Sequence, residues 1–156
     1  MTTKSEQKEF SSNESIGYLT SVAYRSINKR LSNNLKLLGI KLSAEQYGLL
    51  KRLWQEEGLT QLDLAKLTSK DKPSITRLLN NLEKKKFITR KVNEEDKRCN
   101  KIYLTKSGRM LEKTCIKIAG QTVEEATNSI KTNEVETCKK VLAQICDNLV
   151  TKNNNY

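Results

Sequence analysis

Apolar residues recur at three- and four-residue steps along most of the chain, which is the spacing of helices that have one buried face. The first stripe begins after Glu14 and ends near Gly39, and its members are Ile16, Leu19, Ala23, Ile27, Leu31, Leu35 and Leu38. A second helix is predicted to start at Ser43, where S-A-E-Q has the capping-box pattern, and to end with Gly58 as its C′ residue. Its predicted buried face consists of Tyr47, Leu50, Leu53 and Trp54.

Two short helices follow, separated by a brief turn. The run T-Q-L-D at Thr60 starts the first, and its apolar positions are Leu62, Ala65 and Leu67. The turn at 69–71 leads to Lys72 and Pro73, and proline is tolerated in a first helical turn because its missing N–H has no partner there. The second short helix is predicted to turn inward Ile75, Leu78, Leu79 and Leu82. Together they predict a helix-turn-helix.

The outward side chains of the second short helix are polar or basic: Ser74, Thr76, Arg77, Asn80, Asn81 and Lys84. Arginine can bond bidentately to guanine and asparagine to adenine, and hydroxyl groups can reach phosphates or base edges. An ordinary amphipathic surface helix, which is the alternative, more typically carries Glu and Lys at such positions. The pattern favours a recognition helix that contacts DNA.

The pattern changes from helical to extended after Lys86. Residues 87–92 are predicted to form one strand and residues 101–104 its partner, with a charged hairpin tip at 93–100. A basic hairpin directly after a helix-turn-helix predicts a winged helix-turn-helix. Its wing arginine, Arg98, is expected to reach the minor groove or the flanking phosphates.

Two further helices carry apolar stripes. Thr105 caps the first, whose stripe contains Leu111, Cys115, Ile118, Val123, Ala126 and Ile130. Asn133 and Glu136 are predicted to start the last, and its heptad seam consists of Val135, Cys138, Leu142, Ile145 and Leu149. Either a monomeric helical cap over the core or a homodimer joined by the first and last helices would cover these stripes. A homodimer suits the two half-sites that helix-turn-helix proteins bind.

The predicted fold class is mainly α, with about six helices, a two-stranded β-hairpin wing and a homodimer interface formed by the N- and C-terminal helices. A single domain of 156 residues accommodates these elements. Its predicted parts are a flexible leader at 1–13, an N-terminal dimerisation helix at 14–41, a winged helix-turn-helix at 42–104 and C-terminal dimerisation helices at 105–151.

Composition narrows the possible functions. The chain has no histidine, which removes Ser-His-Asp and Cys-His catalysis and most metal sites with mixed nitrogen and sulfur ligands. Its four cysteines form no C-x-x-C pair and are expected to be reduced thiols. The polar N terminus does not match a signal peptide, and no run approaches the ~18–20 apolar residues of a membrane span. These features predict a cytoplasmic protein with no membrane partner and no cofactor.

The net charge of +11 is concentrated in one segment. Residues 66–101 contain 12 basic and 5 acidic residues, a net +7, whereas residues 1–65 and 102–156 each carry +2. A concentrated basic segment is expected of a protein that binds a phosphate backbone. Composition alone would equally suit a solvated lysine-rich face, and the helix-turn-helix pattern favours the phosphate binder.

Four runs of the sequence resemble the multiple-antibiotic-resistance-regulator (MarR) family between about Leu42 and Leu111. They are L-S-A-E-Q-Y-G-L-L-K-R-L, L-T-Q-L-D-L-A-K-L-T, D-K-P-S-I-T-R-L-L-N-N-L-E-K-K-K-F-I-T-R and E-E-D-K-R-C-N-K-I-Y-L-T-K-S-G-R-M-L. The family's D-x-R and L-T-x-x-G signature corresponds to Asp96, Arg98, Leu104, Thr105 and Gly108. The resemblance implies a dimeric transcription regulator, usually a repressor on a palindromic operator, and not an enzyme.

The resemblance also implies which residues contact double-stranded DNA. Recognition-helix contacts carry over to Ser74, Thr76 and Arg77 and, as weaker candidates, to Asn80, Asn81 and Lys84. The wing contact carries over to Arg98, with Asp96 orienting it by a charge-assisted hydrogen bond. Phosphate contacts are expected from Lys72, Lys84 and Lys97. Many family members are released from DNA by small anionic aromatic ligands, so such an effector is a further expected partner.

Three features depart from patterns found in the family. The family usually has glycine where this chain has Lys86, and a left-handed lysine there would cost about 1 kcal/mol. The hydroperoxide-sensing branch needs a reactive cysteine near the first helix, whereas the first cysteine here is Cys99. The zinc-sensing branch uses histidines, which the chain lacks. Neither branch matches the sequence.

Alternative functions use other features of the chain. A redox-triggered regulator of the same fold would use Cys99, because the neighbouring Lys97 and Arg98 favour the reactive thiolate; an unreactive loop cysteine is the simpler explanation. A protein–protein adaptor would use the heptad seam and bind DNA only incidentally. No constellation of residues supports a hydrolase or a transferase.

Overall fold

The computed structural model describes residues 15–150, so the predicted leader and the tail from residue 151 lie outside the described residues. In this range, helices occupy Ile16–Leu37 (α1), Ala44–Gln55 (α2), Gln61–Thr68 (α3), Lys72–Lys84 (α4), Lys106–Met110 (α5), Glu112–Ala126 (α6) and Thr132–Val150 (α7). The strands are Leu59–Thr60 (β1), Ile88–Val92 (β2) and Asn100–Leu104 (β3). The chain divides into two compact units, and the division falls between Thr122 and Val123. Over the residues described, no helix combines the length and apolar character needed to span a membrane.

Hydrogen-bonding side chains fix where the helices begin. The predicted capping box of α2 is confirmed, because Ser43 accepts from the backbone N–H of Gln46 and the Gln46 side chain accepts from that of Ser43. Helix α2 ends at Gln55 with Glu56 as its C-cap, so the C′ position is occupied by Glu57, and Gly58, the predicted C′ residue, lies one residue beyond it. Its left-handed backbone (φ +77°) instead turns the chain into β1, and its N–H donates to the carbonyl of Ile102 at 2.9 Å.

The core of the first unit contains the inward side of α4 as predicted. Ile75, Leu78, Leu79 and Leu82 are all buried. The short helix predicted from Leu62, Ala65 and Leu67 is present as α3, and Ala65 packs against the core, but Leu62 and Leu67 are 63% and 46% exposed, and the fully buried residue is Leu64. The capping box at Thr60 starts this helix at Gln61, and the helical rotation of about 100° per residue then turns Leu64 to the core and Leu62 away from it.

The wing belongs to a three-stranded antiparallel sheet with the order β1-β3-β2. Strands β2 and β3 pair from Ile88 opposite Leu104 to Val92 opposite Asn100. The two-stranded prediction missed β1, where Leu59 pairs with Ile102. A strand of two residues is too short to show the alternation on which strand prediction depends.

The helix predicted from Thr105 is interrupted, and this gives seven helices in the described range instead of six. Thr105 caps α5 by accepting from the N–H of Gly108 at 3.1 Å, and α6 begins after the single residue Leu111. Leu111 has nearly helical dihedral angles (φ −76°, ψ −21°), so the apolar spacing continues across the break and gives no sign of it.

A buried polar contact joins α6 to α1 within the first unit. The hydroxyl of Thr122 accepts from the Asn34 side chain at 3.0 Å and donates to the carbonyl of Ile118 at 2.8 Å. Cys115, one turn before Ile118, is fully buried, and burial raises the pKa of its thiol to about 11. This thiol therefore packs as an apolar group.

The second unit contains the end of α6, a turn with a left-handed Ser129 (φ +64°), and α7. Helix α7 starts one residue before the predicted Asn133, and the backbone N–H of Lys131 donates to the Glu134 carboxylate at 3.2 Å. No residue of Thr132–Val150 is buried. In the predicted heptad seam, Cys138, Leu142 and Leu149 are exposed and Val135 and Ile145 are partly buried.

Candidate nucleic-acid interface

The helix-turn-helix is formed by α3, a three-residue turn and α4. Ser69 ends α3 in the left-handed conformation (φ +51°), which reverses the chain direction. Asp71 then caps α4 by accepting from the N–H of Ser74 at 2.7 Å, and Pro73 occupies the first helical turn as predicted. Hydrogen bonds from Ser74 to this carboxylate lower the pKa of Asp71, so the cap stays ionised at neutral pH.

The outer surface of α4 holds four of the predicted DNA contacts at exposed positions: Arg77, Asn80, Asn81 and Lys84. They are spaced three or four residues apart and therefore share one side of the helix. Lys72, at the start of the same helix, is also exposed. An exposed polar row of this kind has the size and chemistry that fit the major groove.

The two hydroxyl groups predicted to contact DNA are engaged within the protein. Thr76 donates to the carbonyl of Lys72 at 2.9 Å and accepts from the Gln61 side chain at 2.5 Å. Ser74 bonds to the Asp71 cap. Both residues are half-buried, so their first role in the free protein is to hold the start of the recognition helix.

Glu45 of α2 forms ion pairs with two basic residues of the helix-turn-helix. Its carboxylate lies 2.6 Å from Nζ of Lys70 and 3.8 Å from the guanidinium of Arg77. Arg77 remains 63% exposed, so the carboxylate can restrict its position while leaving its donors accessible. Sequence reasoning missed Glu45 because no local pattern indicates a contact across 32 residues of chain.

Arg90 of β2 joins the wing to the recognition helix. Its guanidinium donates to the carboxylate of Glu83 and, at 2.8 Å, to Oδ1 of Asn80. The sequence contained a signal for this position, since strand alternation places Arg90 on the same side of β2 as the buried Ile88. An inward arginine requires an acceptor, and α4 supplies two.

The wing tip presents the predicted Asp96–Arg98 pair. Oδ1 of Asp96 accepts from both the backbone N–H and the side-chain Nε of Arg98, and the Arg98 side chain is 91% exposed. Lys97 between them is also exposed. The exposed thiol of Cys99 lies 3.8 Å from Oδ2 of Asp96.

The base of the wing is attached to the loop between α2 and β1 by Glu57. This carboxylate accepts from both the backbone N–H of Leu104, at 2.7 Å, and the guanidinium of Arg109, at 2.8 and 2.9 Å. Partial burial alone would raise the pKa of Glu57, but these bonds lower it. Trp54 adds a bond from its indole N–H to the carbonyl of Gly108 at 3.0 Å. The wing therefore projects from a fixed base.

Some of the positive charge of the basic segment, residues 66–101, is paired within the protein and is not available at this surface. Lys70 and Arg90 are paired with carboxylates, and Lys85 donates to the carbonyl of Lys41 at 2.6 Å and to the Gln46 side chain at 2.9 Å. Burial lowers the pKa of Lys85. These three cations serve the fold, and the exposed cations of α4 and the wing are the ones available to a polyanion.

Comparison with known proteins assigns this architecture. Residues 42–100 match the model of the MarR family. Over 81 residues the chain is 33% identical to the organic hydroperoxide resistance transcriptional regulator of Bacillus subtilis, a match that covers 52% of this chain and 55% of that protein. The structure is similar to that of the S. aureus MepR–DNA complex, with a TM-score of 0.76, 29% identity and coverage of 86% of this chain and 98% of that one.

The structure is also similar to that of a second DNA complex. A mutant MarR from E. coli complexed with operator DNA matches with a TM-score of 0.77 and 28% identity, over 85% of this chain and 96% of that one. The family match covers the helix-turn-helix and most of the wing, and the structural matches extend to the helices on either side. The chain is therefore similar to the MarR family of regulators over its helix-turn-helix and most of its wing, and it shares the winged-helix fold of these two DNA complexes.

Proposed function

We propose that the protein is a homodimeric repressor that binds a palindromic operator through α4 and the wing, acts in the cytoplasm and leaves the DNA when a small anionic or aromatic effector binds. The observation that carries this proposal is that one compact unit presents two exposed arginines, Arg77 on α4 and Arg98 on the wing. A recognition helix fits the major groove and a wing arginine fits the minor groove, so one copy can contact both grooves of a half-site.

The proposal divides the contacts by their chemistry. Lys72, Lys84 and Lys97 bind phosphates, because a flexible ammonium group is attracted by charge without distinguishing bases. Arg77 recognises a base, because its guanidinium can donate two parallel hydrogen bonds to guanine. Arg98, held by Asp96, enters the minor groove or binds the phosphates that border it.

The homodimer is supported by apolar surface that the described chain does not cover. On α1, Ile16 and Leu19 are 62% and 53% exposed, and on α7 Leu142 and Leu149 of the heptad seam are 40% and 64% exposed. Apolar surface of this extent marks an interaction site on a water-soluble protein. A second copy of the chain is the proposed partner, because two-fold symmetry presents two recognition helices to the two halves of a palindrome.

An effector is supported by a groove between α3, α4 and the wing. Its lining includes the basic residues Lys72, Arg90 and Arg98, which outnumber the carboxylates Asp63 and Asp96, together with the apolar residues Leu62 and Ile102. Cationic and apolar groups in one groove suit a small aromatic anion. A ligand bound there would occupy the side chains that we assign to DNA, which would explain release.

Equilibrium binding of the full chain tests this function. Fluorescence anisotropy at physiological salt would compare a duplex enriched from a random pool with a scrambled duplex of the same composition, and sedimentation would give the number of chains per duplex. We expect a preference of about 10³-fold or more and two chains per duplex. Equal affinities would contradict the proposal and favour a protein–protein adaptor that uses the heptad seam.

A further inference from the structure

Arg90 of the wing holds two side chains of the recognition helix α4. Arg90 lies opposite Ile102 in the sheet, and its side chain is only 20% exposed. One guanidinium nitrogen donates to Glu83, and the other donates to Oδ1 of Asn80 at 2.8 Å. A single planar group therefore fixes two side chains of α4, and the Glu83 carboxylate neutralises its charge.

This contact determines what Asn80 can offer to DNA. A guanidinium carries donors only, so the atom of Asn80 that faces Arg90 has to be the carbonyl oxygen. Adenine recognition needs the oxygen and the NH₂ group side by side, with the oxygen accepting from N6 and the nitrogen donating to N7. The amide is planar, and the bond to Arg90 takes one of the two lone pairs of its oxygen and holds that oxygen towards the wing. Asn80 is left with a donating NH₂ group.

On this basis, and resting on the proposed function, we propose that Arg90 and Asn80 together determine which base is preferred. In this arrangement Asn80 acts towards DNA only as a hydrogen-bond donor. Guanine presents two acceptors, O6 and N7, in the major groove, whereas adenine presents a donor beside its N7. Asn80 accordingly selects guanine and rejects adenine at its position in each half-site. Arg90 acts as a positioning residue that does not itself touch DNA.

The next residue of the helix supplies a matched control. Asn81 is also exposed and of the same type, and in the residues that the structure describes its side chain has no hydrogen bond like that of Asn80 to Arg90. Its oxygen and its NH₂ group are both available to a ligand. A change at Asn81 should therefore be independent of Arg90.

The test combines selection from a random DNA pool with affinity measurements on duplexes that carry single base changes in the selected half-site. Full-length parent, Asn80→Ala, Arg90→Lys and the control Asn81→Ala would be compared, with melting temperatures to verify folding. Lysine keeps the positive charge beside Glu83 but lacks the fork that also holds Asn80. Glu83→Gln weakens the same fork without changing β2 and serves as a second variant should Arg90→Lys not fold.

We expect one half-site position at which the parent prefers guanine to adenine by about tenfold or more. Asn80→Ala should abolish this preference, Arg90→Lys and Glu83→Gln should shift it towards adenine, and Asn81→Ala should leave it unchanged. An adenine preference at the Asn80-dependent position would overturn the inference, as would a folded Arg90→Lys variant with unchanged preference. If Asn80→Ala weakened binding to all duplexes equally, Asn80 would be identified as a phosphate contact, and the inference would be overturned. A parent that selects no sequence would contradict the proposed function itself.

Discussion

Asp96 accepts two hydrogen bonds from Arg98, one from its backbone N–H and one from its side-chain Nε, each at 3.1 Å. The pair fixes the turn at the wing tip and the direction of the guanidinium together, although the Arg98 side chain is 91% exposed. The Arg98 side-chain bond lowers the pKa of Asp96, so the carboxylate stays charged throughout the neutral range. The wing arginine is thus oriented before any DNA is bound, which reduces the entropy lost on binding.

Stability should be independent of pH near neutrality and should fall in acid. Hydrogen bonds lower the pKa values of Asp63, Asp71 and Asp96, and the chain has no histidine to titrate between about pH 5.5 and 8. A carboxylate with a lowered folded-state pKa stabilises the fold above its unfolded pKa, and this stabilisation is lost as the pH falls through the folded value. Urea unfolding at fixed protein concentration should therefore show a plateau and then a decline below about pH 4. A transition near pH 6.5 would contradict this assignment.

Arg77→Ala and Lys97→Ala should weaken DNA binding in different ways. Removing the arginine should cost about 1–3 kcal/mol on the selected duplex and relax base preference at one position. Removing the lysine should weaken binding to all sequences alike and reduce the salt slope by about one. Anisotropy titrations at several salt concentrations, with selected and scrambled duplexes, measure both quantities. The site assignment would be wrong if both variants bound both duplexes as the parent does.

Gly108→Ala should destabilise the protein strongly. A Cβ at this position would lie 2.1 Å from the carbonyl oxygen of Phe87, and that backbone is fixed by its bond from the N–H of Thr105. Relief of such a clash requires backbone movement, at a cost of about 2–3 kcal/mol. Gly120→Ala is the control, since a Cβ there meets nothing within 4 Å, and alanine in a helix interior should stabilise by about 1 kcal/mol. Equal effects of the two changes on denaturant midpoints would refute the packing argument.

Lys86→Gly should stabilise the protein by about 1 kcal/mol. Lys86 has a left-handed backbone (φ +61°) at the end of α4, the conformation in which a side chain is strained and glycine is not. Lys85→Gly should instead destabilise, because Lys85 has a right-handed backbone and loses its bonds to Lys41 and Gln46. The two substitutions should change the free energy of unfolding in opposite directions. A change in the same direction would contradict the conformational assignment.

The sequence predicts those parts of the fold that depend on neighbouring residues. The caps at Ser43 and Thr60 use bonds between residues three apart, and the inward positions of α4 follow from helical spacing; both are confirmed. The side-chain partners of the candidate site could not be predicted: Glu45 reaches Arg77 across 32 residues of chain, and strand alternation turns Arg90 inward without indicating which side chains of α4 accept from it. These contacts depend on how the elements pack, which no local pattern encodes.

Sequencing the DNA that the full-length protein selects from a random pool tests the central claim most directly. A dimer that presents two copies of α4 should enrich a palindrome whose half-sites are about one helical turn, or 10 base pairs, apart. Arg77→Ala should lose the preference for one base in each half-site of that palindrome. A pool that stays random after selection at physiological salt, or an enriched motif with a single half-site, would contradict the account of a dimeric, sequence-specific regulator.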